Sequence, residues 1–481
     1  MQPAELISED EFLYSRIAER FEKQMHAGIL KAGDKLISLR ALSKEQGVSL
    51  STAFKAYIEL ENKGYIEARP KSGYFVKFSK GQAPMEPVTP KLVSRAQKTD
   101  VEEMISIVYK TLKAEGVVRL SLASPSAELI PEAKLNKAMM EALRQDMASC
   151  TQYEEIQGNV KLRKQIAKHA FNWNGNITED EVVTTQGCME ALVFCLRAVT
   201  EPGDTVAIES PAYFGIFTIM KSLGLKVIEI PVHSTNGTDL EYLEQVLQTE
   251  PVKACLFVPT FCNPAGALLS DERKKQLVEL LAEKNIPLIE DDIYGEMYFG
   301  KKRPRTCKSY DKKGLVMLCS SVSKTLAPGY RVGWCIPGRF IEKVIHLKLS
   351  HTVSAATPTQ AAIANFFETG RYDLHTRKLR KALHTQSLRY IQAISEHFPE
   401  DTKISRPQGG YVLWIELNMK VNAFELFEKA ILEKVTFAPG QIFSTDGRFS
   451  NYARISFGAP FTSKIDDSLK KLGRLVREMS V

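Results

Sequence analysis

Between residues 182 and 321, short apolar runs alternate with stretches of helical periodicity, and this alternation restricts the fold more than any other property of the chain. The runs are Val182 to Thr185, Asp204 to Glu209, Ala254 to Pro259, Ile286 to Asp291 and Leu315 to Ser321, and helical patterns start from Gly187, Tyr213 and Ser270. Strands that return to one sheet through helices run parallel, with helices packed on both faces. The spacing predicts an α/β domain: a mostly parallel sheet with flanking helices. From about Leu347 the pattern is helical and then mixed, which predicts a smaller α+β subdomain. The domain is expected over 101–481, its large part about 150–345 and its small part about 101–149 and 346–481.

A different pattern fills the first eighty residues. Tyr14 to Ala27 carries Ile17, Phe21 and Met25 on one helical stripe, closed by Gly28 and Gly33. A second helix is expected over Leu39 to Gln46. Gly47 and Val48 then turn the chain into Ser49, whose hydroxyl can cap a third helix of about fourteen residues ending before Gly64. Ala53, Ala56, Tyr57 and Leu60 form its buried stripe, with Thr52, Lys55 and Glu59 on the other face. Tyr65 to Arg69 and Tyr74 to Phe78 read as a hairpin turning at Pro70, Lys71, Ser72 and Gly73. Residues 12–78 are thus expected to form a helix, a helix-turn-helix and a β wing. Residues 79–100, broken by Gly81, Pro84, Pro87 and Pro90, read as a linker; twenty flexible residues would span about 25 Å.

Charge follows the same division. The 481 residues carry a net +7, yet residues 14–80 alone hold thirteen Lys and Arg against seven Asp and Glu, an excess of +6. Such a concentration suits a module facing phosphates. The chain lacks an apolar run of about 18 residues, and its acidic start is unlike a signal peptide, so no membrane partner is expected and a cytoplasmic location is. The eight cysteines never form Cys-x-x-Cys and the eight histidines never pair as His-x-x-x-His, which predicts reduced thiols and no metal.

Five motifs in the large domain converge on one chemistry. Ser321, Val322, Ser323 and Lys324 end an apolar run, and Arg331 follows seven residues after the lysine. An amine placed to form a Schiff base, with hydroxyls and a guanidinium to hold a phosphate, suits pyridoxal 5'-phosphate (PLP). Gly187, Cys188 and Met189 open a helix directly after a strand, offering backbone N–H groups and a positive dipole end to that phosphate. Glu290, Asp291, Asp292, Ile293 and Tyr294 end a strand, where a carboxylate can keep a pyridine nitrogen protonated and the Tyr294 phenol can reach the ring hydroxyl. Asn263 lies in an Asn-Pro-Ala-Gly turn after another strand. Arg454, in a strand near the C-terminus, suits a carboxylate held by a bidentate fork.

With these residues in place, 117–481 resembles a fold-type I, PLP-dependent aminotransferase and the N-terminal module resembles a GntR-type winged helix; the fusion resembles the MocR family of bacterial regulators. The resemblance implies that Lys324 is the Schiff-base lysine, that Asp291 partners the pyridine nitrogen, and that Asn263 and Tyr294 partner the ring oxygen. It implies that Cys188, Met189, Ser321, Ser323 and Arg331 bind the phosphate, that Tyr213 stacks on the ring, and that Arg454 holds an amino-acid carboxylate. Tyr153 would reach the phosphate of the other subunit of a homodimer. In the winged helix the matching residues include Leu39, Arg40, Val48, Ser49, Thr52, Tyr57 and Gly73, while Ile37 replaces the usual proline and Leu50 an arginine that many members carry. Arg40, Ser49, Thr52, Lys55, Lys71 and Gly73 are the expected contacts to a double-stranded operator. The function expected is a transcriptional regulator sensing an amino acid, an amine or PLP; the alternative is a working aminotransferase with an accessory winged helix.

Overall fold

The computed structural model of the chain describes residues 13–26, 29–31, 33–62, 65–69, 72–76, 85–90, 102–111, 116–145 and 149–481. Three helices open it: α1 (Leu13–His26), α2 (Leu39–Gln46) and α3 (Leu50–Asn62). Ser38 caps α2, its hydroxyl accepting the Ala41 N–H at 3.2 Å, and Gly47 ends it in a left-handed conformation at φ 62°. Ser49 caps α3 by accepting the Thr52 N–H at 3.0 Å. Ala53, Ala56, Tyr57 and Leu60 are all fully buried, together with Ile17 and Met25 of α1 and Leu42 of α2. The buried Tyr57 hydroxyl donates to the Ile37 carbonyl at 2.8 Å, which satisfies the one polar atom that the stripe brings into this core. The wing is β1 (Ile66–Arg69) antiparallel to β2 (Gly73–Val76), with Arg69 opposite Gly73.

One outward position on α3 is corrected. Glu59 faces α1, where its carboxylate accepts the Ser15 hydroxyl at 3.0 Å. Lys55 is exposed, as expected, with its ammonium 5.9 Å from the Tyr14 ring centroid. Lys71, the expected wing-tip contact, lies outside the described residues.

The expected linker is held over its described part, Met85–Pro90. Met85 accepts the Ile404 N–H at 2.8 Å, Val88 donates to Glu416 at 2.8 Å and accepts the Tyr452 hydroxyl at 2.5 Å, and Thr89 donates to the Val232 carbonyl at 2.7 Å. These partners lie from 143 to 364 residues away in sequence. The segment is a docked strap rather than a loose tether along this length.

An eight-stranded sheet organises the rest of the chain. Its order is Val183–Thr185, Gly333–Ile336, Val316–Ser321, Leu288–Asp291, Val252–Phe257, Thr205–Ser210, Lys226–His233 and Gly237–Thr238. The five strands from Val316–Ser321 to Lys226–His233 pair in parallel, as the alternation predicts, and Gly333–Ile336 runs antiparallel to both neighbours. The strand Lys226–His233 has no counterpart in the sequence reading because it contains Glu229 and Pro231. Its outer neighbour is only the two-residue strand Gly237–Thr238, so it lies near the edge, where proline is tolerated. Glu229 is neutralised there by Arg448 at 2.8 Å.

The smaller subdomain contains a sheet ordered Lys403–Ile404, Val412–Glu416, Tyr452–Ser456 and Ala438–Pro439, packed with helices that include Ala423–Leu432 and Ser463–Met479. Helix Glu132–Gln145, expected with this small part, instead buries Leu135 and Ala138 in a cluster with Leu318, Val322 and Ile336 of the large sheet region. Helix Ile341–Thr352 crosses the expected boundary at 345. No helix among the described residues is long and apolar enough to cross a membrane.

Candidate cofactor site

Parallel strands place their carboxyl ends along one edge of a sheet, where ligands bind in open α/β folds. Here Asp291 ends one strand, Lys324 follows another, and Asn263 lies in the loop after a third. A cavity of about 210 Å³ at this edge is lined by Cys188, Met189, Tyr213, Asn263, Asp291, Tyr294, Ser323, Lys324 and Arg331, among others. Nine of the expected site residues thus meet in one place. A larger open groove of about 920 Å³, lined by residues such as Arg303, Arg377 and Asp373, contains none of them.

Lys324 leaves its strand with its amine donating to the Ala123 carbonyl at 2.6 Å, while its own carbonyl accepts the Tyr411 hydroxyl. Loss of hydration, reinforced by the nearby Arg454 guanidinium, pulls the amine down to about 8, with Asp291 opposing the shift. A lysine held this way is neutral, and so nucleophilic, far more often than one in water.

Glu290, Asp291 and Asp292 are consecutive buried acids with three separate destinations. Glu290 accepts the Cys307 and Lys308 N–H groups at 2.7 and 2.9 Å and belongs to the scaffold. Asp292 pairs with the buried Arg303, which also holds Glu296. Only Asp291 faces the cavity, accepting the Cys188 thiol at 3.3 Å and the Ile293 N–H at 3.2 Å. Burial is the main reason its carboxyl is raised to about 6, and those two donors oppose the rise. A buried acid that faces a cavity and has no salt-bridge partner among the described residues suits a cationic ring nitrogen.

The expected phosphate-binding residues gather around Gly187. Its φ of 89° belongs to glycine, and a Cβ there would lie 2.3 Å from Arg331 Nη2. The bare Cα lets the guanidinium sit against the start of helix Cys188–Val199, whose cap position makes no side-chain hydrogen bond. Arg331 donates to the Gln186 carbonyl at 2.8 Å and lies 3.5 Å from the Ser323 hydroxyl. Open helix N–H groups, a hydroxyl and a guanidinium converge there, a donor set that fits a phosphate dianion. Ser321 does not join them directly: it is buried, lies outside this cavity, and accepts the Ser323 N–H at 3.2 Å.

Arg454 is 2% exposed, with its guanidinium donating to Asn263 Oδ1 at 3.0 Å and to the Ser121 carbonyl and lying over the Phe443 ring. Asn263 in turn donates to the Tyr294 hydroxyl at 3.4 Å, so the two expected partners of the ring oxygen touch each other and the arginine. Burial and the Asp291 charge push that phenol upward. Tyr153 is 88% exposed, away from the cavity of its own chain.

Sequence reasoning missed Ala123, Ser124 and Tyr411. The first two precede no recognisable strand, and Tyr411 has one faint signal, the Gly409-Gly410 pair before an apolar run. It also missed a thiol cluster: Cys195 and Cys319 lie 3.6 Å apart, Cys335 pairs opposite Cys319 across two strands, and all three are fully buried.

Residues 116–471 match the family described as aminotransferase class I and II, and residues 13–76 match the bacterial regulatory proteins of the gntR family. Over 465 residues the chain is 37% identical to the uncharacterized HTH-type transcriptional regulator YdcR of Escherichia coli (strain K12), covering 97% of this chain and 99% of that one. YjiR of the same organism, also described as an uncharacterized HTH-type transcriptional regulator, is 35% identical over 96% and 98% of the two chains. Among solved structures, the multiple substrate aminotransferase from Thermococcus profundus superposes with a TM-score of 0.73 at 26% identity, over 78% of this chain and 94% of that one. Fold and site together define a GntR-type winged helix fused to a fold-type I aminotransferase domain, whose cofactor is pyridoxal 5'-phosphate. The chain belongs to the MocR family of regulators.

Proposed function

We propose that this protein is a cytoplasmic, homodimeric transcriptional regulator whose aminotransferase-like domain senses an amino acid, an amine or PLP while the winged helix holds a double-stranded operator. The observation that carries the reading is the presence, on one chain, of a cavity with a lysine, a buried acid and an anion cradle, and of a basic winged helix with an exposed α3 face. In this reading Lys324 attaches the cofactor and Asp291 holds its ring nitrogen. Asn263 and Tyr294 hold the ring oxygen, and Tyr213 flanks the ring. The N–H groups of Cys188 and Met189, with Ser323 and Arg331, hold the phosphate; Ser321 supports them through Ser323. Arg454 takes a carboxylate, at the expense of its bond to Asn263, and the exposed Tyr153 reaches the partner subunit's cofactor. When bound, PLP supplies an electrophilic carbonyl and an electron-withdrawing ring.

Completeness of the same set favours a second reading, a working aminotransferase. An absorbance titration of the PLP-loaded protein with a panel of amines and amino acids, combined with operator footprinting, separates the two. Spectral change without keto product, together with an altered footprint, supports the sensor. Steady keto-acid release with an unaltered footprint puts the enzyme first.

A further inference from the structure

We infer that α3 reads thymine methyl groups in the major groove through Leu50 and Phe54, a specificity that deepens, and rests on, the reading of the winged helix as an operator-binding module. Leu50 and Phe54 are 51% and 44% exposed, whereas the other apolar residues of α3 at Ala53, Ala56, Tyr57 and Leu60 are fully buried. They stand four residues apart on the first two turns, so both occupy one face of the helix end that enters a major groove.

The polar side chains that would compete for base edges are committed elsewhere. Ser49 Oγ caps the helix and lies 2.8 Å from both Ser51 Oγ and Thr52 Oγ1, tying three hydroxyls into one local network. Lys55 leans over Tyr14, and Glu59 accepts from Ser15 on α1. The start of α3 therefore presents two large apolar side chains outward, beside exposed hydroxyls that are bonded to one another. In the major groove the one apolar base feature is the C5-methyl group of thymine.

Charge selects DNA as the occupant over another protein. The apolar pair lies within the segment of +6 excess, with Arg40 exposed on the neighbouring α2. A phosphate-lined groove complements such a rim. Side chains four apart on a helix have Cβ atoms about 5–6 Å apart, and bases along a strand rise about 3.4 Å. The two methyl groups read should accordingly lie one to two base steps apart.

The test uses the full-length, PLP-loaded protein and duplexes selected from a random pool. Half-sites should be enriched in closely spaced thymines. Replacing those thymines with deoxyuridine removes only the methyl groups, and should weaken wild-type binding about fourfold per methyl. The Leu50→Ala, Phe54→Ala double variant should bind thymine and deoxyuridine duplexes alike, with an unchanged salt slope. Wild-type binding that is indifferent to the methyl groups, yet salt-dependent through Arg40, overturns this inference and leaves the operator reading standing. A variant that still discriminates overturns it too. If no duplex is enriched, both fail.

Discussion

Replacing Gly187 by alanine sets a Cβ 2.3 Å from Nη2 and 3.0 Å from Cζ of Arg331. The guanidinium ends a flexible side chain and will swing aside, so the clash itself is inexpensive. Two consequences remain. The backbone at φ 89° and ψ 172° is a region reserved for glycine, which for alanine costs on the order of 1–3 kcal/mol of stability. The displaced Arg331 also loses its bond to the Gln186 carbonyl and its place at the helix start. A charge-assisted hydrogen bond to phosphate contributes about 1.5–3 kcal/mol, so PLP affinity should fall about 10- to 100-fold. The assay is an absorbance titration of the apo-protein with PLP, beside urea unfolding to separate stability from binding. Arg331→Ala should show a similar loss of affinity without the backbone strain. In the double variant the binding losses should not add, because both act through one guanidinium. A folded Gly187→Ala protein with wild-type affinity, or additive losses, would refute the cradle.

Four further outcomes follow from the geometry. The Lys324 amine, held at about 8 against an ordinary 10.5, should attach PLP at a rate that climbs with pH and levels off above about 8; a flat rate from about pH 6 to 9 contradicts it. Because its folded value lies below its unfolded one, the unfolded apo-chain binds more protons between those limits, and stability relative to Lys324→Met should rise with pH across that window. Tyr452→Phe removes the donor to the Val88 carbonyl, a loss of about 1 kcal/mol, and should speed proteolysis at the strap about fivefold if opening is fast. Arg40→Ala should weaken all duplexes alike and lower the salt slope by about one, measured by binding across a salt series.

The winged helix was legible because each of its signals is local: a capping serine, a four-residue apolar stripe, a turn glycine. The candidate cofactor site was legible because strand ends and residue spacing mark it, and the positions from Cys188 to Arg331 meet at one cavity as the alternation implies. What stayed hidden depends on pairs remote in sequence. Nothing near Arg454 in the chain announces that Asn263 and Ser121 hold it, and nothing in the proline-rich segment announces Glu416, Tyr452 or Val232. The direction of Glu59 was lost for the same reason, since Ser15 of α1 takes its carboxylate. A strand containing Glu229 and Pro231 is recognisable only once Arg448 and the sheet edge are known.

The docked strap also limits how far the DNA-reading head can travel. Val76 closes the wing and Met85 is pinned to the small subdomain, leaving eight residues between them. Nine peptide steps at full stretch reach about 30 Å, no more than one turn of duplex or so. A leash of twenty loose residues would let the head search many half-site spacings; in the proposed homodimer this shorter one would make the anchor points on the two aminotransferase-like domains the ruler. In the homodimer proposed above, operators would be sorted by distance before any base is read, and a ligand that moved the anchors would change which spacings can be spanned.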